Sequence, residues 1–233
     1  MKICVYSAIY EGYDALHQHV PQSVPCDFLC ITDSLEPQGL TKVIKYDPLP
    51  DEPSPILKSI YLRLFPFECP LLDGYDLCIY IDGNATIVSS TFVQDLLEAH
   101  HVADYALTIS KHGRTNDAYG EAIASQQMAK YALTIDLEAQ IANYQSQGFP
   151  PYPATFLYWS GFLVWNRGFV TNQIEFAKLW WDEMTNYVRT KDRYYPQGQV
   201  SLSYVLWKFP IAFKAIPPLY WNGQSIRIHN HNQ

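Results

Sequence analysis

The chain has 233 residues, which suits one large α/β domain, and an apolar fraction of 48% is enough for a substantial core. Its formal charge of −7 argues against a broad nucleic-acid-binding surface, because such surfaces are strongly basic. The sequence has no run of about 18 apolar residues and therefore predicts no transmembrane helix, although peripheral contact with a membrane stays open.

The five cysteines indicate a reducing compartment. Their number is odd, none forms a CxxC pair, and several stand in apolar, strand-like runs, as buried free thiols do. The first residues lack the long apolar stretch and the small-residue cleavage site of a signal peptide. Both observations predict a cytoplasmic location.

Strands and helices alternate in the first half of the chain. Apolar, β-branched runs predict strands over Ile3 to Ile9, Asp27 to Asp33 and Leu77 to Ile81. Four prolines between Asp47 and Pro55 predict a loop, and helical spacing follows over Ile56 to Phe65. This alternation favours a largely parallel sheet.

The second half is more irregular. No repeat and no linker divides it from the first half, so we expect a single domain over residues 1–233. Its predicted elements are, in chain order, a mainly helical stretch over Asn116 to Ser146, a proline-rich break over Gly148 to Pro153, a strand over Thr155 to Asn166, helices over Ile174 to Val188 and Gln199 to Lys208, and an extended segment closing on Ile226 to His229.

Polar side chains stand at the ends of three predicted strands, where open α/β sheets bind their ligands. They belong to the segment Glu11 to Asp14, to Asp33, and to the turn Asp82-Gly83-Asn84. In that turn, an acidic residue and a second oxygen ligand can face one hard cation, such as the Mg²⁺ or Mn²⁺ that neutralises a diphosphate. The same residues are common in ordinary turns, so the motif alone leaves both interpretations open.

Several segments, taken in order, resemble a known family. The segments are Val5 to Asp14, Thr32-Asp33, Lys58, Tyr80 to Asn84, His112 to Arg114, Tyr119 to Ala122, Gln140 to Pro150, Trp180 to Glu183 and Gln199 to Tyr204. Together they resemble an uncharacterised glycosyltransferase-like family of plant Golgi proteins and bacterial polysaccharide-cluster proteins, which is itself similar to glycosyltransferase family 8. The resemblance spans almost the whole chain, and its specificity lies in the order of the segments.

This resemblance implies a single-domain, GT-A-type, nucleotide-sugar-binding fold of the α/β class, with a mainly parallel mixed central sheet flanked by helices. The nucleotide-binding half would extend over about residues 1–105, and the acceptor-side half over about residues 106–233. The implied activity is metal-dependent transfer of a sugar from a nucleotide diphosphate sugar, with UDP as the expected nucleotide. The acceptor would be a hydroxyl group of a glycan or polysaccharide precursor, and the metal Mn²⁺ or Mg²⁺.

The resemblance also implies residue roles, carried over by position. For the nucleotide, Tyr6, Ala8 and Tyr13 would line the base and ribose pocket, and Asp33 would contact the edge of the base. The phosphates or the acceptor would be contacted by Lys58, His112 and Arg114, and the reacting sugar by Gln199. The donor would be bound by Asp82, Gly83 and Asn84, and the metal by Asp82, Asn84 and His229. Simpler roles stay open beside these: a turn cap for Asp33, solvated charge for the cations, and a frayed terminus for the last histidines.

One departure from the family keeps other functions open. Where the family has Arg-Asp-Gln, this chain has Gln197-Gly198-Gln199, so a carboxylate is missing and a non-catalytic binding module of the same fold remains an alternative. A nucleotidyltransferase is a second alternative, but its Gly-rich basic loop after the first strand is poorly represented by Glu11 to Asp14. The donor sugar, the acceptor and the stereochemistry stay undetermined by the sequence.

Overall fold

The computed structural model describes residues 1–37, 39–189, 196–219 and 223–231. Its strands are β1 (Ile3–Ile9), β2 (Asp27–Thr32), β3 (Lys42–Lys45), β4 (Leu77–Ile81), β5 (Ala85–Ile87), β6 (Leu107–Lys111), β7 (Tyr158–Asn166), β8 (Phe213–Ile216) and β9 (Ile226–Ile228). Its α-helices are α1 (Pro55–Leu64), α2 (Phe92–Glu98), α3 (Ala118–Gln126), α4 (Ala129–Ala132), α5 (Leu137–Ser146), α6 (Val170–Thr185) and α7 (Gly198–Lys208).

In the described part of the chain, a seven-stranded sheet has the order β3-β2-β1-β4-β7-β6-β8. The pairs β2–β3, β1–β2, β1–β4 and β6–β8 are parallel, whereas β7 runs antiparallel to both of its neighbours. The predicted fold class, an α/β fold with a mainly parallel mixed sheet flanked by helices, is confirmed. Within these residues no helix has the length and apolar character needed to cross a membrane.

Side chains of β1 alternate between two cores because successive residues of a strand point to opposite faces. Tyr6 and Ala8 pack in the larger core, to which α1, α6 and α7 contribute. Ile3 and Val5 pack in the smaller core, which α2 covers. Helices on both faces explain why β1 and β4 are buried throughout.

Helix α1 has clear start and stop signals. The Ser54 hydroxyl accepts a hydrogen bond from the Leu57 amide at the N-terminus, and Pro55 occupies the first turn, where its missing N–H costs nothing. Pro66 then prevents the helix from continuing. The Ser59 hydroxyl donates to the Ala8 carbonyl at 2.8 Å, which fastens the helix to the end of β1.

Parts of the second half differ from the predicted elements. The stretch predicted to be mainly helical divides into α3, α4 and α5. The extended C-terminal segment is present as β9, which pairs antiparallel with β5 in a separate two-stranded sheet. The His229 amide continues this pairing by donating to the Asn84 carbonyl at 2.8 Å. The C-terminal segment is thereby held beside the turn that follows β4.

Candidate functional site

A cavity of about 940 Å³ opens where β1 and β4 end. This volume is near the upper end of the range usual for small-molecule sites, about 300–1,000 Å³. Its walls come from the turns after these two strands, from α1 and α3, from the start of α7 and from the C-terminal segment. Predicted site residues that line it are Ala8, Tyr13, Asp82, Gly83, Asn84, His112, Arg114 and Gln199.

Asp82 is the carboxylate at the end of β4. The Tyr80 hydroxyl donates to its Oδ1 at 3.0 Å, and Arg63 Nη1 lies 3.9 Å from the same oxygen. The side chain is 31% exposed, and it faces the cavity. Desolvation raises the pKa of Asp82 above its usual value, although Arg63 and the Tyr80 hydroxyl act in the opposite direction.

Two glycines let carboxylates approach the backbone closely. A Cβ on Gly161 of β7 would lie 2.2 Å from Asp82 Oδ2 and 2.5 Å from the indole nitrogen of Trp159. A Cβ on Gly83 would lie 2.9 Å from Asp14 Oδ2. Any side chain at either position would therefore displace a carboxylate of the site.

Asp14 is a second carboxylate of the cavity; the sequence placed it in the polar segment after the first strand but gave it no role of its own. It is only 7% exposed, and its Oδ1 lies 2.6 Å from His231 Nδ1. The other ring nitrogen of His231 lies 3.5 Å from Asn84 Nδ2, and the ring packs against Tyr13 at 5.0 Å between centroids. The C-terminal segment thus reaches the cavity through His231.

His229, the histidine predicted as a metal ligand, is directed elsewhere. Its ring stacks on His17 with 3.8 Å between centroids, and its Nε2 lies 2.9 Å from the Thr86 hydroxyl. The pairing of β9 with β5 fixes this orientation, because His229 continues the strand while His231 lies beyond it. Across the described ranges, no three His, Cys, Asp or Glu side chains already converge as a metal-binding group.

Three other predicted residues stay outside the cavity lining, each held by a structural contact. Tyr6 is fully buried, and its hydroxyl donates to the Leu62 carbonyl at 3.0 Å. Both carboxylate oxygens of Asp33 accept from the Glu11 amide at 3.1 Å, so Asp33 supports the turn after β1. Lys58 Nζ bonds to Asp47 at 2.5 Å, which ties α1 to the proline-rich loop.

Arg63 is a buried cation of the cavity that sequence reasoning missed. It is 8% exposed, and among the described residues its Nε has no hydrogen-bond partner. Its guanidinium carbon lies 6.0 Å from the Tyr80 ring centroid and 5.7 Å from that of Trp180. The sequence offered one sign of this role, because Arg63 is a charged residue between Leu62 and Leu64 at the apolar end of a predicted helix.

Gly198, where the chain departs from the family pattern, borders this arginine. A Cβ there would lie 3.3 Å from Arg63 Nη2 and 3.6 Å from the Ser160 hydroxyl. The next residue, Gln199, has a buried side-chain oxygen without a hydrogen-bond partner in the part of the chain that the structure describes. The start of α7 therefore places one unsatisfied side-chain oxygen beside the cavity.

His112 and Arg114 follow β6 at the cavity rim. His112 Nδ1 accepts from the amides of Arg114 at 3.3 Å and Thr115 at 3.2 Å. Burial lowers the pKa of His112, which favours the neutral ring at pH 7. Arg114 is exposed and lines the same cavity.

Comparison with known proteins agrees with the family resemblance. The sequence profile of a family described as "TOD1/MUCI70, glycosyltransferase-like domain" matches residues 53–222. No protein of curated function matches the chain significantly. Among solved structures, the galactosyltransferase LgtC in complex with donor and acceptor sugar analogues is 15% identical, with a TM-score of 0.49 over 91% of this chain and 72% of LgtC. Because the profile covers most of the sequence, the chain belongs to the TOD1/MUCI70 family of glycosyltransferase-like domains.

Proposed function

We propose that this protein transfers a sugar from a nucleotide diphosphate sugar, with UDP as the expected nucleotide, to a hydroxyl group of an acceptor. The observation that carries the proposal is the pair Asp14 and Asp82, which follow adjacent parallel strands and face one cavity together with buried Arg63. Ligands of open α/β sheets gather at such strand ends, and the family is glycosyltransferase-like.

The residues around Asp82 fit a divalent cation of the Mn²⁺ or Mg²⁺ type. Asp82, Asn84 and the Nε2 atom of His231 would hold it, through a carboxylate oxygen, an amide oxygen and an imidazole nitrogen. The Asn84 amide nitrogen donates to the His229 carbonyl at 3.0 Å and faces His231 Nε2 at 3.5 Å, so the amide would have to turn to present its oxygen. Asp14 would act on His231 Nδ1, since metal-binding histidines usually contact a carboxylate through their other nitrogen. A bound cation would neutralise negative charge on the diphosphate.

Other groups of the cavity would act on the donor. Arg63 has an unsatisfied Nε, and the N-terminus of α7 favours negative charge, so both suit the diphosphate or the transferred sugar. In the reaction, the bond between the anomeric carbon and the diphosphate oxygen breaks and its electron pair leaves with the diphosphate. The acceptor oxygen bonds to the same carbon, and its proton passes to the departing diphosphate. Stabilising the departing charge is the principal task of such a site.

The narrower expectations belong to this proposal as well. We propose one domain over residues 1–233, a role in polysaccharide biosynthesis and a cytoplasmic location. The nucleotidyltransferase and the non-catalytic binding module remain the rival functions. The first would break a bond at phosphorus instead of the bond to the anomeric carbon, and the second would break no bond.

Incubation with a panel of nucleotide-sugars and Mn²⁺, followed by mass spectrometry of the released nucleotide, tests this function. We expect release of a nucleoside diphosphate from at least one donor. Release of a sugar 1-phosphate, with the nucleoside monophosphate transferred to the acceptor or set free by water, would instead support nucleotidyl chemistry. A protein that binds UDP and releases nothing from any donor would be the binding module.

Replacing His231 by Ala is expected to weaken Mn²⁺-dependent UDP binding by about tenfold or more, because the imidazole faces Asp14 and Asn84. His229→Ala is the matched variant, since this ring stacks on His17 outside the cavity lining. Calorimetric titration of UDP with Mn²⁺ should leave the His229 variant near the wild type. If His229→Ala weakened the binding and His231→Ala did not, His229 would be the metal ligand instead.

A further inference from the structure

The cavity has a second polar wall, formed by α3 and the start of α7. Its acidic member is Glu121, a half-buried residue in the first turn of α3. The metal and diphosphate contacts proposed above do not use it. Because Glu121 is half-buried, desolvation raises the pKa of its carboxyl group.

The hydrogen bonds that Glu121 makes within the protein are long. Gln197 Nε2 lies 3.3 Å and the Ser125 hydroxyl 3.5 Å from Oε1, compared with about 2.7–2.9 Å in strong charge-assisted bonds. Both contacts use Oε1, and among the described residues Oε2 has no hydrogen-bond partner. The carboxylate therefore retains capacity to accept hydrogen bonds from a molecule in the cavity.

The partners of Glu121 are themselves fixed. Ser125 is fully buried and Gln197 is 2% exposed, and Gln197 Nε2 donates to the Ser125 hydroxyl at 2.6 Å. Gln197 Oε1 accepts from the Gln199 amide at 3.2 Å and so caps α7. This network joins α3 to the start of α7 beside the carboxylate.

The following inference rests on the proposed function. We propose that Glu121 binds the acceptor, a carbohydrate that lies between α3 and the start of α7. Its Oε2 atom accepts a hydrogen bond from a hydroxyl group of this carbohydrate. Met128 and Tyr131 line the same side of the cavity and offer apolar and aromatic surface to the C–H face of a sugar ring. Gln197 and Ser125 are positioning residues in this arrangement.

The simplest competing role for Glu121 is a structural one, because a carboxylate in the first turn of a helix interacts favourably with the helix dipole. The chain provides a matched control for that effect. Glu138 lies in the first turn of α5, is exposed, and does not line the cavity. Both helices also have an aspartate N-cap, Asp117 for α3 and Asp136 for α5.

Saturation-transfer NMR with methyl hexopyranosides, presented one at a time with UDP and Mn²⁺, separates the two roles. At least one glycoside should give a signal with the wild type and with Glu138→Gln. Glu121→Gln should lower the affinity for that glycoside about tenfold or more, because a hydrogen bond to a charged group is lost. Both variants should bind UDP as the wild type does.

Two results would overturn the inference while leaving the proposed function intact: wild-type UDP binding without a response from any glycoside, or an unchanged glycoside signal in Glu121→Gln. A wild-type protein that fails to bind UDP at all would contradict the proposed function itself, and this inference with it.

Discussion

Asp82→Asn is expected to abolish Mn²⁺-dependent UDP binding and, at neutral pH, to make the free protein more stable than the wild type. The binding loss follows because the variant removes the only anionic metal ligand that we propose. The stability gain follows because the folded protein disfavours the ionised form of Asp82, whose pKa is raised mainly by desolvation. Such a conflict between stability and function is common at active sites.

The sign of the pH dependence follows from that raised pKa. The folded state binds the Asp82 proton more tightly than the unfolded chain, where the pKa is about 3.9. The protonated Asp82 carboxyl group therefore stabilises the folded protein. This stabilisation is complete below the pKa that Asp82 has in the unfolded chain, and it is lost as the pH rises through the pKa in the folded protein. The melting temperature of Asp82→Asn minus that of the wild type should therefore increase from about pH 4 upward and then level off.

Thermal unfolding between pH 4 and 7, combined with calorimetric titration of UDP and Mn²⁺, measures both effects. Asp51→Asn is a suitable control, since it removes an exposed loop carboxylate that does not line the cavity. UDP affinity equal to that of the wild type in Asp82→Asn would remove Asp82 from the site. A melting-temperature difference that falls with pH would show that the ionised carboxylate stabilises the fold.

Gly161→Ala is expected to cost both stability and UDP binding. The added methyl group would lie 2.2 Å from Asp82 Oδ2 and 2.5 Å from the Trp159 indole nitrogen, so both side chains have to move. Overpacking of this kind costs about 1–3 kcal/mol, which corresponds to a fall of roughly 3–10 °C in melting temperature. Displacement of Asp82 should weaken Mn²⁺-dependent UDP binding as well.

Gly120→Ala provides the control for the loss of a glycine. Gly120 lies inside α3, where a Cβ would meet its nearest atom, Asp117 Oδ2, at 3.4 Å, an ordinary contact. This variant should be as stable as the wild type or slightly more stable, because alanine restricts the unfolded chain. Equal melting temperatures and UDP affinities for Gly161→Ala and the wild type would show that Asp82 has more room than the structure gives it.

The strand ends were the part of the site that sequence patterns could predict. The buried runs that became β1 and β4 are local signals, and the topology then brings Asp82, Gly83 and Asn84 to the cavity. Ala8 and Tyr13 line the cavity for the same reason, and their predicted contact with the base and ribose stays a prediction. Tyr6 lies on the same face of β1 as Ala8 but further from the strand end at the cavity. The alternation of side chains along a strand predicts which face a residue occupies, but not whether it reaches the cavity.

The residues that sequence reasoning missed depend on contacts between distant segments. His231 reaches Asp14 across almost the whole length of the chain, and only the pairing of β9 with β5 decides which histidine faces the cavity. Lys58 resembles a ligand until its partner Asp47 is seen. Arg63 stands in an apolar helix end, where burial beside Trp180 depends on how α1 and α6 pack.

Anomalous diffraction at the manganese edge, from crystals soaked with UDP and Mn²⁺, would locate both the metal and the nucleotide. We predict one strong peak in the cavity, in contact with an oxygen of Asp82 and with the diphosphate of UDP, and with His231 turned toward it. Absence of a peak there, or UDP bound away from the ends of β1 and β4, would contradict the proposed site.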